Sequence, residues 1–143
     1  MSSILHDFTV RAEPSTVYEA ITSPEGLNQW WTKRASGQAL AGQEYQLWFG
    51  PEADWRALVT EAVPGRRFGL EMTGADADWL GTTVGFTLEP TPDGTMVRFS
   101  HSGWRAENEH YRLSSYCWAM YLRLMRRFAE AGEQVPYDHR MIV

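Results

Sequence analysis

The chain has 143 residues, of which 13% are aromatic, and a net charge of −5. That length suits one domain that buries its own core without a metal or disulfide. The acidic balance speaks against an electrostatic grip on nucleic acid, the single cysteine against a disulfide framework, and the lack of an eighteen-residue apolar run against membrane insertion. No basic-then-apolar leader opens the sequence, so a cytoplasmic location is expected.

Ile4 to Val10 alternates, with Ile4, His6, Phe8 and Val10 on one side, and reads as the first strand. Pro14 opens a short helix that runs to Thr22 with Val17, Tyr18 and Ile21 on its apolar face. Ser23-Pro24-Glu25 repeats the start signal, Ser23 as cap and Pro24 as first residue, and the second helix carries Leu27, Trp30 and Trp31. That cluster is placed to plug one end of a sheet. From Thr32 the helical period stops. Strands are expected over Thr32–Ala39, Glu44–Phe49, Trp55–Val63, Arg67–Thr73, Thr82–Glu89 and Gly94–Ser102, separated by turns at Gly42, Gly50-Pro51, Pro64-Gly65 and Pro92-Asp93-Gly94. Between the fourth and fifth of these, Gly74–Gly81 is a loop whose Trp79 suggests a lid. Because each strand alternates, the sheet is expected to be antiparallel with one wetted face, on which Arg56, Glu71, Glu89, Arg98 and Trp48 lie.

Asn108 to Ala131 is an amphipathic helix of roughly six turns. Leu113, Cys117, Met120, Tyr121, Leu124 and Phe128 fall in one stripe, with Trp118, Leu122 and Met125 at its edge. Asn108 can cap its start, or the main rod begins at Arg112 or Leu113, and Gly132 followed by Pro136 marks its end. The expected architecture is α+β in one domain, 1–143: a curved antiparallel sheet gripping the long helix, with two short helices after the first strand.

The order and spacing of several motifs resemble the START-like (SRPBCC) superfamily, and within it the family homologous to the activator of the ninety-kilodalton heat-shock protein ATPase. They are Ala12-Glu13-Pro14 with Val17-Tyr18-Glu19-Ala20-Ile21-Thr22, then Ser23-Pro24-Glu25-Gly26-Leu27 and Trp30-Trp31. Val59 and Glu61 before Pro64, Arg67-Phe68, Val84-Gly85-Phe86-Thr87-Leu88 with Gly94-Thr95, and His101-Ser102-Gly103-Trp104 extend the match. The resemblance implies a helix-grip fold with a cavity between sheet and helix. Related families bind lipids, hormones or polyketides there, and some catalyse cyclisation or dehydration. The eukaryotic activator carries an additional chaperone-binding domain that these residues do not contain.

The four histidines match no zinc spacing, so no metal is expected, and no phosphate-cradling loop or nucleophile elbow suggests a cofactor. Cys117, in the apolar stripe, reads as an inert buried thiol. His101 shares the apolar parity of Val97 and Phe99; it is either satisfied by packing, through backbone or Ser102, or it is a ligand contact or acid-base group. Tyr121 either anchors the packing or meets a ligand. The leading expectation is a binding protein for a small hydrophobic or aromatic molecule, with a polyketide cyclase or dehydratase and a chaperone-interacting module as alternatives, and a homodimer as a further partner class. Candidate cavity-lining residues are Trp30, Tyr45, Leu47, Phe49, Val59, Leu70, Met72, Trp79, Phe86, Phe99, His101, Trp104, Cys117, Met120, Tyr121 and Leu124.

Overall fold

Local chemistry sets the elements. Strand β1 (Ser2–Val10) leads into α1 (Pro14–Thr22) and α2 (Pro24–Trp30). Both helices begin on proline, and the Ser23 hydroxyl accepts the Gly26 N–H at 2.9 Å, so one residue ends α1 and caps α2. The two helices meet so tightly that a Cβ on Gly26 would lie 2.7 Å from the Ala20 carbonyl oxygen. Six strands follow: β2 (Arg34–Ser36), β3 (Glu44–Trp48), β4 (Asp54–Val63), β5 (Arg67–Gly74), β6 (Thr83–Thr91) and β7 (Gly94–Trp104). Helix α3 (Glu109–Ala131) comes next, and a 3-10 turn, Tyr137–Ile142, closes the chain. The computed structural model describes residues 1–142.

The strands form one antiparallel sheet in the order β1-β7-β6-β5-β4-β3-β2, and the whole is a helix-grip α+β fold. Alternation decides the faces. Val84 pairs with His101, Phe86 with Phe99 and Leu88 with Val97, all six buried on the concave side. Register slips between Arg56 and Ala57 and between Val59 and Glu61, where β4 meets β5, help bend the sheet around the helix. On the convex side Arg98 holds Asp7 at 2.7 Å and Glu89 at 3.0 Å, exposed pairs that water screens and that add little to stability. Trp48, on that same side, is covered from within the chain: the Arg34 guanidinium lies 4.4 Å from its ring centre.

Helix α3 takes the earliest of the starts its sequence leaves open and ends at the expected glycine. Asn108 accepts the Tyr111 N–H at 3.0 Å, and Gly132 closes the helix in the left-handed region at φ 68°. The face it buries corrects the expected stripe. Ser114, Trp118, Leu122, Leu124 and Met125 are buried, Cys117, Met120, Tyr121 and Phe128 are half-buried, and Leu113 is 56% exposed. The helix is thus turned by close to the ~100° step of one residue relative to that stripe. Periodicity weighs Leu113, Cys117 and Met120 like Trp118, but Trp118 has the largest ring and an N–H that must find an acceptor, and the sheet offers one at His101. The terminal 3-10 turn has no counterpart among the expected elements.

Leu124 belongs to both versions of the stripe and Leu113 only to the expected one. In urea melts Leu124→Ala should cost ~2–5 kcal/mol, while Leu113→Ala should stay within ~0.5 kcal/mol. The reverse order would contradict the observed rotation of α3.

Candidate functional site

Five aromatic rings close a circle at the end of the sheet where α2, α3 and the 74–81 loop meet. Trp31 lies against Phe49 with ring centres 5.9 Å apart, Phe49 against Trp55 at 5.3 Å, Trp55 against Trp79 at 5.0 Å, Trp79 against Trp118 at 5.7 Å, and Trp118 back against Trp31 at 5.1 Å. Further in, Trp118 meets Phe99 at 4.5 Å, and Phe99 meets Phe86 at 5.2 Å. The middle of the sheet-helix interface is therefore packed with rings. A cleft of about 270 Å³ is open at the mouth, floored by Trp31, Phe49, Trp55 and Trp79, with Leu113, Ser114, Cys117 and Tyr121 of α3 and Tyr137 at its sides.

A hydrogen-bond relay holds the floor in place. The Trp118 indole donates to His101 Nδ1 at 3.0 Å; an indole nitrogen can only donate, so Nδ1 is bare and the ring proton sits on Nε2. Nε2 then donates to the Thr82 hydroxyl at 2.7 Å, which donates to the Trp79 carbonyl at 2.5 Å. Burial, helped by the charge of nearby His110, pushes the His101 pKa down to about 3, so the ring is neutral near pH 7. With both nitrogens occupied and no exposed surface, it has no free position for proton transfer to a ligand. Its partners are Thr82 and Trp118 rather than backbone or Ser102, whose hydroxyl bonds Ser3.

The loop 74–81 is docked. Trp79 is 7% exposed and donates to Ser114 Oγ at 3.1 Å, while Arg105 donates to the carbonyls of Leu80 and Ala77. On the opposite rim Arg140 is buried, with no carboxylate paired to it among the described residues. It donates to the carbonyls of Val135 at 3.1 Å, Thr32 at 3.3 Å and Asn28 at 2.5 Å, and thereby sets Tyr137 at the cleft. Burial raises the Tyr121 pKa to about 12 and pushes the Cys117 thiol up, which keeps both protonated. His110 also faces the cleft, with Nδ1 3.1 Å from Asp78 Oδ2.

Of the sequence-derived candidates, Phe49, Trp79, Cys117 and Tyr121 line this cleft. Trp30, Tyr45, Leu47, Val59, Leu70, Met72, Phe86, Phe99, His101, Trp104 and Leu124 are buried in the core. Met120 lies in a separate groove on the outer side of α3 with Tyr116 and Met141. The candidates omitted Trp31, Ala53, Trp55, His110, Leu113, Ser114 and Tyr137. The position of Trp55 at a strand end, like that of Trp79 and Trp104, already pointed to the mouth of a cavity; Tyr137 had no such signal, because its position depends on Arg140 reaching back to α2.

The family model described as "Activator of Hsp90 ATPase homolog 1-like protein" matches residues 11–130. No curated protein matches the chain. Among solved structures, the Aha1 dimer from Colwellia psychrerythraea is 29% identical, with 93% of this chain and 99% of that chain covered and a TM-score of 0.84. Protein SSP2350 from Staphylococcus saprophyticus is 17% identical, with coverage of 94% and 96% and a TM-score of 0.79. CalU16 from Micromonospora echinospora is 21% identical, with coverage of 97% and 80% and a TM-score of 0.76, and like SSP2350 it is a likeness of fold. No helix among the described residues is long and apolar enough to cross a membrane.

A proton is withheld from folded His101 but not from the unfolded chain, so the unfolded state binds more protons between the unfolded pKa of 6.5 and about 3. This group's contribution to stability is therefore present above pH 6.5 and is lost progressively as pH falls through that window. Nitrogen-15 NMR should show the His101 ring as the Nε2–H tautomer, without titration between pH 8 and ~4.5. A ring that protonates near pH 6.5 would contradict the relay.

Proposed function

Since the chain belongs to the family of activator of Hsp90 ATPase homolog 1-like proteins, we propose that it is a binding protein for a small, flat hydrophobic molecule held in the aromatic cleft. The family and fold support a ligand-binding domain in general. The observation that carries the finer reading is the floor of Trp31, Phe49, Trp55 and Trp79 beneath an opening of about 270 Å³. That volume lies just under the ~300–1,000 Å³ of typical ligand sites, so it suits one or two fused rings rather than a long acyl chain. Indole faces reward flat ligands, and the hydroxyls of Tyr121 and Tyr137 at the rim can orient a single polar substituent. The Colwellia relative is described as a dimer, and we take a homodimer as the assembly of this chain too. Contact with a chaperone rests on the family description alone.

The naphthalene alcohol 2-naphthol is a suitable probe. It should quench tryptophan fluorescence with a dissociation constant in the low micromolar range or weaker, and it should shift the amides of Trp79, Tyr121 and Tyr137. Trp55→Ala should weaken binding about tenfold through lost stacking and lost apolar contact. Shifts confined to the convex strands, around Arg56 and Arg98, would refute the cleft.

One observation favours a second reading, an enzyme of the cyclase or dehydratase kind. His110 opens onto the cleft and is oriented by Asp78, the arrangement a general base needs. If a cleft ligand is turned over, His110→Gln should lower the rate by ~10²–10⁴ while affinity changes little. Turnover indifferent to that substitution would exclude His110 as the base.

A further inference from the structure

The outer face of α3 repeats at heptad spacing and is largely open to solvent, with Met141 of the terminal turn beside Met120. Glu109, Leu113, Tyr116, Met120 and Arg123 follow one another at intervals of four, three, four and three residues and so share one face of the helix. Leu113 is 56% and Tyr116 77% exposed, Met120 is half-buried, and Glu109 and Arg123 are exposed. Neither charge belongs to an ion pair among the described residues. An apolar stripe of this kind on a surface helix calls for a partner.

The order of the five residues identifies that partner. The stripe is symmetric about Tyr116: three apolar residues at the centre, an acid seven positions before and a base seven positions after. Against a second α3 running antiparallel, Tyr116 meets Tyr116, Leu113 faces Met120 in both directions, and Glu109 lies opposite Arg123 at both ends. In a parallel pairing, acid would face acid and base would face base. Only the antiparallel arrangement, generated by a two-fold axis through Tyr116, satisfies every position. We infer that this chain forms an isologous homodimer through the Glu109–Arg123 face of α3, the stripe of each copy packing antiparallel on the other. A groove of about 220 Å³ beside the stripe, bounded by Tyr116, Met120, Arg123 and Met141, gives the incoming Tyr116 ring a seat.

Fourteen residue steps make the seam about 21 Å long. That is short against the ~800 Å² per partner buried in standard complexes, so the dimer should dissociate at tens of micromolar. The inference rests on the proposed homodimer and names its surface. Sedimentation equilibrium across ~5–500 μM tests both, because each fails differently.

Wild-type protein should dimerise with concentration. Glu109→Arg and Arg123→Glu, both at exposed positions, should each weaken association about tenfold or more by setting like charges together at both ends of the seam. An equimolar mixture of the two variants should form a mixed dimer, and the double variant should recover self-association, since each restores opposite charges. Wild-type protein that stays monomeric throughout would overturn the homodimer and the seam together. Single variants that dimerise like wild type, or a double variant that fails to recover, would overturn the seam and leave a dimer through another face.

Discussion

The bond from the Trp118 indole to His101 decides how α3 lies on the sheet. Trp118 is the largest side chain the helix buries, and its N–H cannot be left unpaired in a dry interface without costing ~1–3 kcal/mol. His101, at the end of β7, meets that need with Nδ1, and its other nitrogen is held by Thr82. The contact fixes helix rotation and imidazole tautomer together, since turning α3 by one residue would leave a buried donor and a buried acceptor unmatched. A histidine so enclosed is a structural joint. Its place on the apolar face and its depressed basicity have the same origin, removal from water.

The location of the cleft follows from that rotation. Turning Trp118 inward fills the space that a helix-grip fold can leave open, and Trp30, Phe86 and Phe99 complete the packing. Opening is displaced to the mouth, where the aromatic circle forms a floor and residues from distant parts of the chain form the rim. The rim has two supports. Arg105 and Ser114 hold the 74–81 loop from one side, and Arg140 ties the terminal turn to α2 from the other. What is open at this end of the interface is a shallow aromatic cleft.

Element order, both proline-led helices, the Ser23 cap, the Gly132 stop and the concave parity of β6 and β7 were legible because each is written in contiguous residues. The seated face of α3 was not, because an apolar count cannot rank Trp118 above Leu113 without knowing that a histidine waits across the interface. The candidate site was legible in part for the same reason. Strand parity identifies residues that point inward, and it treats Leu47 and Phe49 alike, although the first is sealed in the core and the second opens onto the cleft. Tyr137 and Arg140 lie beyond any such pattern, since their placement is a long-range bond of an arginine to backbone carbonyls of α2 and the residues after it. His110 stood in the first turn of the expected helix and matched no metal spacing; its orientation by Asp78 appears once the loop is folded back.

Aromatic packing governed by Trp118 and His101 fills the middle of the interface and leaves the mouth open, where the proposed ligand would sit. A crystal structure of the protein grown with 2-naphthol tests it most directly. The account requires the naphthalene ring against Trp55 and Trp79, its hydroxyl near Tyr121 or Tyr137, and the bond from Trp118 to His101 unchanged. Density for the ligand between Trp118 and Phe99, with that bond broken and the helix displaced, would contradict it.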